Sequence, residues 1–171
     1  LKFLIAKIGF EAFMQLIDEE RLALKNKIYP IEVVEETVEQ VTVKEEVVAE
    51  NKQNAYTNWL KTNVFEQKQE GLFGAYIRIP LGNISSTVSR SLIEKIQGYV
   101  ADDVRVTINQ GLFLRHIPAA NLPYIFNVLD SFALAESGAN SIHNITACPG
   151  TDTCNLAISD STFITLEFEK V

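Results

Sequence analysis

Cys148 and Cys154 are the only thiols in this 171-residue chain, and the stretch that holds them, ACPGTDTC, turns on Pro149 and Gly150 with five residues between the sulfurs. Such a pair can close a disulfide, because a short loop can bring its ends within bridging range. It can ligate a soft metal such as zinc or an iron–sulfur cluster, or it can stay reduced and idle. Chains that depend on disulfides are short, secreted and rich in cysteine. This one is 47% hydrophobic over its 171 residues, enough to bury a core without staples, so a reduced cytoplasmic setting is the expectation. A closed metal site normally takes four sulfurs, of which the pair supplies two. Neither His116 nor His143 lies at ligand spacing to the cysteines, and His143 reads as an imidazole on a strand surface.

The elements that must position the loop follow from periodicity. Residues 1–21 carry apolar side chains at helical spacing through Leu4, Ile5, Ile8, Phe13, Leu16 and Ile17, which predicts a helix with one apolar face. Beyond a linker, GLFGAYIRIP alternates and reads as a strand closed by Pro80 and Gly82. Ser85 or Ser86 offers a cap to a helix whose face is Val88, Leu92, Ile93 and Ile96, ending at Gly98. DDVRVTINQGLFLRHIP predicts two strands about Gly111, and Leu122, Ile125, Val128 and Leu129 predict a second helix. NSIHNITACPG is expected as a last strand leading into the cysteine loop, and the tail as a helix capped within Ser159–Ser161. Strand, helix, strand, strand, helix, strand is the split βαβ order of an α+β, ferredoxin-like fold, an antiparallel sheet with helices on one face. Trp59, Phe73, Tyr76 and Phe113 are expected to pack in its core.

Charge says little about partners. Residues 32–50 hold seven Glu against one Lys, so nearly all of the net charge of −7 sits there and reads as a solvated linker. No basic cluster offers a footprint for nucleic acid or an anionic membrane. No apolar run approaches the roughly 20 residues that cross a bilayer.

VRVTINQGLFLRHIP, followed by TACPGTDTCNLAIS, resembles the siroheme and [4Fe–4S] family of nitrite and sulfite reductases, in particular the second of that family's two related halves. The family pattern Arg-x-Thr-x-x-Gln is similar to Arg105, Thr107 and Gln110, with Asn109 between, and its first cluster-binding pair to Cys148 and Cys154. The opening LKFLIAKIGFEAFMQLIDEE looks like the helix that ends the preceding siroheme domain, and QEGLFGAYIRIPLGNI like the start of the second ferredoxin-like unit.

The resemblance implies the following expectations. Residues 1–24 end a siroheme domain, 25–58 are an acidic linker, 59–147 form the ferredoxin-like half domain and 148–171 begin the siroheme and iron–sulfur domain. Cys148 and Cys154 are cluster ligands, and Arg105, Thr107, Asn109 and Gln110 face the siroheme; for Arg105 an ion pair with Asp102 or Asp103 is the equal alternative. Backbone N–H groups at Gly150–Cys154 and a helix starting at Asn155 are expected to favour the cluster's negative charge. Six-electron reduction of nitrite or sulfite needs the cofactors. The chain starts on a leucine inside a periodic pattern and stops at Val171 before the family's second cysteine pair. It is therefore expected to be a fragment with no catalytic residue of its own and no bound cofactor, whose parent uses siroheme and a [4Fe–4S] cluster. Its expected partners are the remaining domains of the same chain and an electron donor, a ferredoxin or a reductase subunit. A free-standing ferredoxin-like binding or regulatory module with incidental cysteines is the alternative, and a zinc module completed by a partner chain is a third.

Overall fold

Two stretches have the alternation and the β-branched or aromatic content for full strands, and both form them: β2 over Leu72–Ile77 and β4 over Leu112–Pro118. In the structure, a computed structural model that describes residues 2–24, 41–101 and 103–169, these two strands pair antiparallel at the centre of a four-stranded sheet. Three-residue strands flank them, β1 (Val64–Glu66) on β2 and β3 (Val104–Val106) on β4, giving the order β1-β2-β4-β3. Every pairing is antiparallel. The helices are α1 (Lys2–Ile8), α2 (Phe10–Ala23), α3 (Gln53–Asn63), α4 (Ser86–Ile96), α5 (Leu122–Ser131) and α6 (Ser161–Phe168).

The chain divides into two compact units, residues 1–36 and 37–171. In the first, the single helix expected over 1–21 is two, because Gly9 takes φ 85° and ψ 157°, a conformation that ends α1 and lets α2 start afresh. No residue of either helix is buried.

In the second unit one face of the sheet carries the core. Ala75, Ile77, Leu114 and Ile117 pack with Trp59 of α3, Leu92 and Ile96 of α4, and Ile125, Phe126 and Leu129 of α5. Trp59 is fully buried against Phe126, with ring centroids 5.6 Å apart. Ser85 caps α4 as the sequence suggests, its hydroxyl accepting the Val88 N–H at 3.2 Å. On the opposite face Phe65, Tyr76 and Phe113 stack into an aromatic trio. Tyr76 and Phe113, expected in the core, therefore lie on the other side of the sheet from it. Gly74 makes room for the trio, since a Cβ there would come within 2.5 Å of the Phe113 ring. Opposite Gly74, β4 spends two residues, Arg115 and His116, against one, a bulge in which His116 takes φ 52°.

The expected last strand at NSIHNITACPG does not form: residues 141–149 are turn and irregular backbone. The fourth strand comes instead from upstream, as β1, which occupies the free edge of β2 while β3 occupies that of β4. A four-stranded antiparallel α+β sheet results, with the edge strand supplied from the other end of the unit.

Of the segment expected as linker, residues 25–40 lie outside the described residues, while 41–58 are tied to the core. Asn121, with no exposed surface, donates from Nδ2 to the carbonyls of Thr42 (2.8 Å) and Tyr99 (2.9 Å). Its Oδ1 accepts the Lys44 N–H at 2.7 Å. Thr42 N–H reaches Gly98 O at 2.8 Å, Lys44 Nζ lies 3.8 Å from the Tyr124 ring centroid, and Val48 is buried. Residues 41–48 thus form a strap across the unit. Asn121→Ala removes three hydrogen bonds and strands buried backbone groups, so it is expected to cost about 3 kcal/mol in urea unfolding, against a near-neutral Asn54→Ala on the exposed side of α3.

Candidate functional site

The β3–β4 hairpin turns through Thr107, Ile108, Asn109, Gln110 and Gly111. Thr107 closes it three times: its N–H donates to Gly111 O at 2.9 Å, its carbonyl accepts from Gln110 N–H at 3.2 Å, and its hydroxyl accepts the Gly111 N–H at 3.1 Å. Gly111 lies so close to β2 that a Cβ would sit 2.5 Å from the Ile77 carbonyl oxygen. Gln110 takes φ 59°, and its side chain reaches out of the hairpin to the segment before the cysteines. There Nε2 donates to Ala147 O at 2.9 Å and Oε1 accepts the Ala147 N–H at 3.2 Å. Asn109 Nδ2 donates to Asn140 Oδ1 at 3.0 Å. The hairpin residues singled out in the sequence are thereby brought to the approach of the cysteine loop.

Arg105 lies on β3 and donates from Nε to Asp103 Oδ2 at 3.0 Å, which is the ion pair the sequence offered for it; Asp102 is outside the described residues. Arg115, on the bulge, donates to the other oxygen of Asp103 from Nη2 at 2.8 Å and from Nε at 3.1 Å. Partial burial pushes the Asp103 carboxyl up, but hydrogen bonds from Arg115 and Arg105, together with their charges, outweigh it and hold the group below its ordinary range.

Both cysteines are free thiols and exposed. Ser161, the first residue of α6, donates from its hydroxyl to Cys148 O at 2.8 Å, and the same oxygen lies 3.6 Å from Cys148 Sγ. That hydroxyl first, and the Gly150 amide second, lower the pKa of the Cys148 thiol. Gly150 is buried at φ 57°, and a Cβ on it would meet Ser161 Oγ at 2.4 Å, so glycine is what lets the loop close on α6. The expected tail helix is present as α6, with Asp160 as cap accepting the Phe163 N–H at 2.9 Å. The helix expected to start at Asn155 is absent. Four of the backbone donors expected to face a cluster bond to backbone oxygens instead, Thr151 to Ser159 O, Asp152 to Pro149 O, and Thr153 and Cys154 to Gly150 O, while the Gly150 amide is turned to Cys148.

Among the described residues no three His, Cys, Asp or Glu side chains gather to hold a metal ion, and no helix is long and apolar enough to cross a membrane. The donors nevertheless suit an iron–sulfur cluster in kind, as two accessible sulfurs on one loop that amount to half of a four-sulfur set. His143 sits in a turn rather than on a strand, exposed, and its carbonyl accepts from Arg78 Nη2 at 2.5 Å. His116 is buried in the bulge, with its N–H given to Gln67 Oε1 at 2.7 Å. Sequence reasoning missed Arg78 and Ser161. Arg78 also binds Ser137 O at 3.0 Å and Glu136 Oε2 at 3.3 Å; its only sequence signal is a cation set between Ile77 and Ile79 of an apolar strand.

Residues 65–132, from β1 through α5, match the family described as the nitrite/sulfite reductase ferredoxin-like half domain. That segment, about two fifths of the chain, is similar to the ferredoxin-like half domain of the nitrite and sulfite reductases. The ferredoxin–nitrite reductase of Synechococcus elongatus is 28% identical over 98 residues, which cover 57% of this chain and 19% of that protein. The chain thus spans about a fifth of the length of the curated relative it matches.

Two measurements check the electrostatics and the exposure of this region. Asp103 ionises more easily folded than unfolded, so its contribution is full above the ordinary value of 3.8 and is lost as the pH falls through the lower folded value. Urea unfolding should accordingly find the wild type more stable than Asp103→Asn at neutral pH, with the difference closing on acidification below 3.8. Replacing both Cys148 and Cys154 with Ser should leave the melting temperature unchanged, since both thiols are exposed; a marked drop would make them structural.

Proposed function

We propose that this chain is part of an oxidoreductase of the nitrite and sulfite reductase family, and that its share of the work is to present Cys148 and Cys154 as two of four ligands to a [4Fe–4S] cluster coupled to siroheme. The observation that carries the reading is the attachment of the cysteine loop, through Gln110, to the hairpin of a sheet that matches the family's half domain. The cofactors supply the six-electron reduction of nitrite or sulfite, which side chains cannot perform. The protein's residues bind and orient. Cys148 and Cys154 offer soft donors suited to iron. Arg105 keeps its side chain about half exposed beside Asp103, a guanidinium whose planar fork suits a siroheme carboxylate. Thr107 and Asn109 hold the hairpin from which Arg105 and Gln110 project. The relative's name supports a ferredoxin as electron donor, and the remaining ligands and substrate contacts come from other parts of the protein.

The test uses the complete reading frame expressed with iron and sulfide supplied. Wild type is expected to hold stoichiometric iron and acid-labile sulfide and to show the broad visible absorption of a cluster. Cys148→Ser and Cys154→Ser should each lose the iron together with methyl-viologen-driven nitrite or sulfite reduction, because a hydroxyl is a poor substitute for thiolate at iron. Full iron content in the double Ser variant would overturn the reading.

A further inference from the structure

Residues 141–149 lead into the cysteine loop without a single ladder hydrogen bond, yet a metal ligand must be held to within a fraction of an ångström. Side chains do here what a strand would otherwise do. Ala147, the residue before Cys148, is gripped by Gln110, whose amide bonds both the N–H and the carbonyl of Ala147, just as a neighbouring strand would. On the other side, the Ser161 hydroxyl donates to the Cys148 carbonyl while resting beside the sulfur. The two grips come from different elements, the β3–β4 hairpin and the first turn of α6, and each is itself fixed. Gln110 is set by the Thr107–Gly111 turn, and Ser161 by the Asp160 cap and by Gly150, which alone permits so close an approach.

We propose that Gln110 and Ser161 are positioning residues that hold Cys148 Sγ in a fixed place relative to the sheet, and that Gln110 acts through this clasp on the backbone rather than by touching a cofactor. The inference rests on the reading of Cys148 as an iron–sulfur ligand for its purpose, though the clasp can be measured without iron. Both polar ends of the Gln110 amide are committed to Ala147, one N–H of Nε2 to its carbonyl and Oε1 to its N–H, which fixes the plane and direction of the side chain toward the loop backbone.

The experiment uses the chain itself in two iron-free measurements. In amide hydrogen exchange by NMR, Ala147 should be protected in wild type and exchange about tenfold faster in Gln110→Met, which keeps the length of the side chain but removes the acceptor of the Ala147 N–H, while the amides of β2 and β4 stay as they were. In a Cys154→Ser background, a nitroxide attached to Cys148 should give a broad, immobilised spectrum. That spectrum should narrow in Gln110→Met and in Ser161→Ala and recover in Ser161→Thr, which restores the hydroxyl. An unprotected Ala147 amide in wild type, or variants with unchanged exchange and line shape, overturns the proposal. So does a loss of protection spread evenly over β2 and β4, which would make the two residues supports of the fold at large. In the complete reading frame, the Gln110→Met protein should assemble less cluster with a shifted electron paramagnetic resonance spectrum; a wild-type spectrum and iron content overturn the positioning role. Wild type that never takes up iron defeats the assignment of Cys148 as a ligand instead, and is told apart by an intact clasp in the two iron-free measurements.

Discussion

The pairing of β2 with β4 is the contact on which the larger unit depends. It sets Ala75 beside Leu114 at the floor of the core, fixes the bulge at Arg115 and His116, and ends where Gly111 presses against the Ile77 carbonyl. That last contact fixes the hairpin in space. Because the hairpin cannot shift along β2, Gln110 always emerges at the same height, and the cysteine loop inherits its position from the sheet without being part of it. The outer strands add little to this, being three residues each.

What could be read from the sequence is what regular periodicity encodes. The alternation of β2 and β4 and the helical faces of α4 and α5 correspond to the core, and Ser85 sits where a cap was expected. What could not be read had its cause elsewhere in the chain. Ile142, Ile145 and Thr146 give residues 141–149 the composition of a strand, but the places beside β2 and β4 are already taken by β1 and β3, and composition does not record vacancy. The strand that takes the edge of β2 is too short for alternation to declare itself. The Glu- and Val-rich stretch reads as a linker because nothing within it shows that Asn121 is waiting for its backbone.

The candidate site divides in the same way. Gln110 and Asn109 stand out in sequence as uncharged amides beside a glycine, but their partners, Ala147 and Asn140, lie more than thirty residues away. Ser161 had no signal beyond its place in a capping run. Its importance comes from a distance to Cys148 that only the fold of the loop creates. Asp103 likewise draws its two arginines from positions 105 and 115, on different strands, so that the grouping exists only once β3 has paired with β4.

The strap held by Asn121 has a consequence for the order in which the chain comes together. Its bonds to Lys44 and Thr42 span 77 and 79 residues of sequence, whereas β3 and β4 meet within a single hairpin. Closing so long a loop costs entropy before any bond returns it, so contacts near in sequence assemble first. The hairpins and the α4–α5 layer can therefore form a nucleus while residues 41–48 are still free, and the strap arrives last. A chain built in this way completes its core from the C-terminal side and seals it with a segment synthesised earlier, which ties the final folding step to a single buried amide.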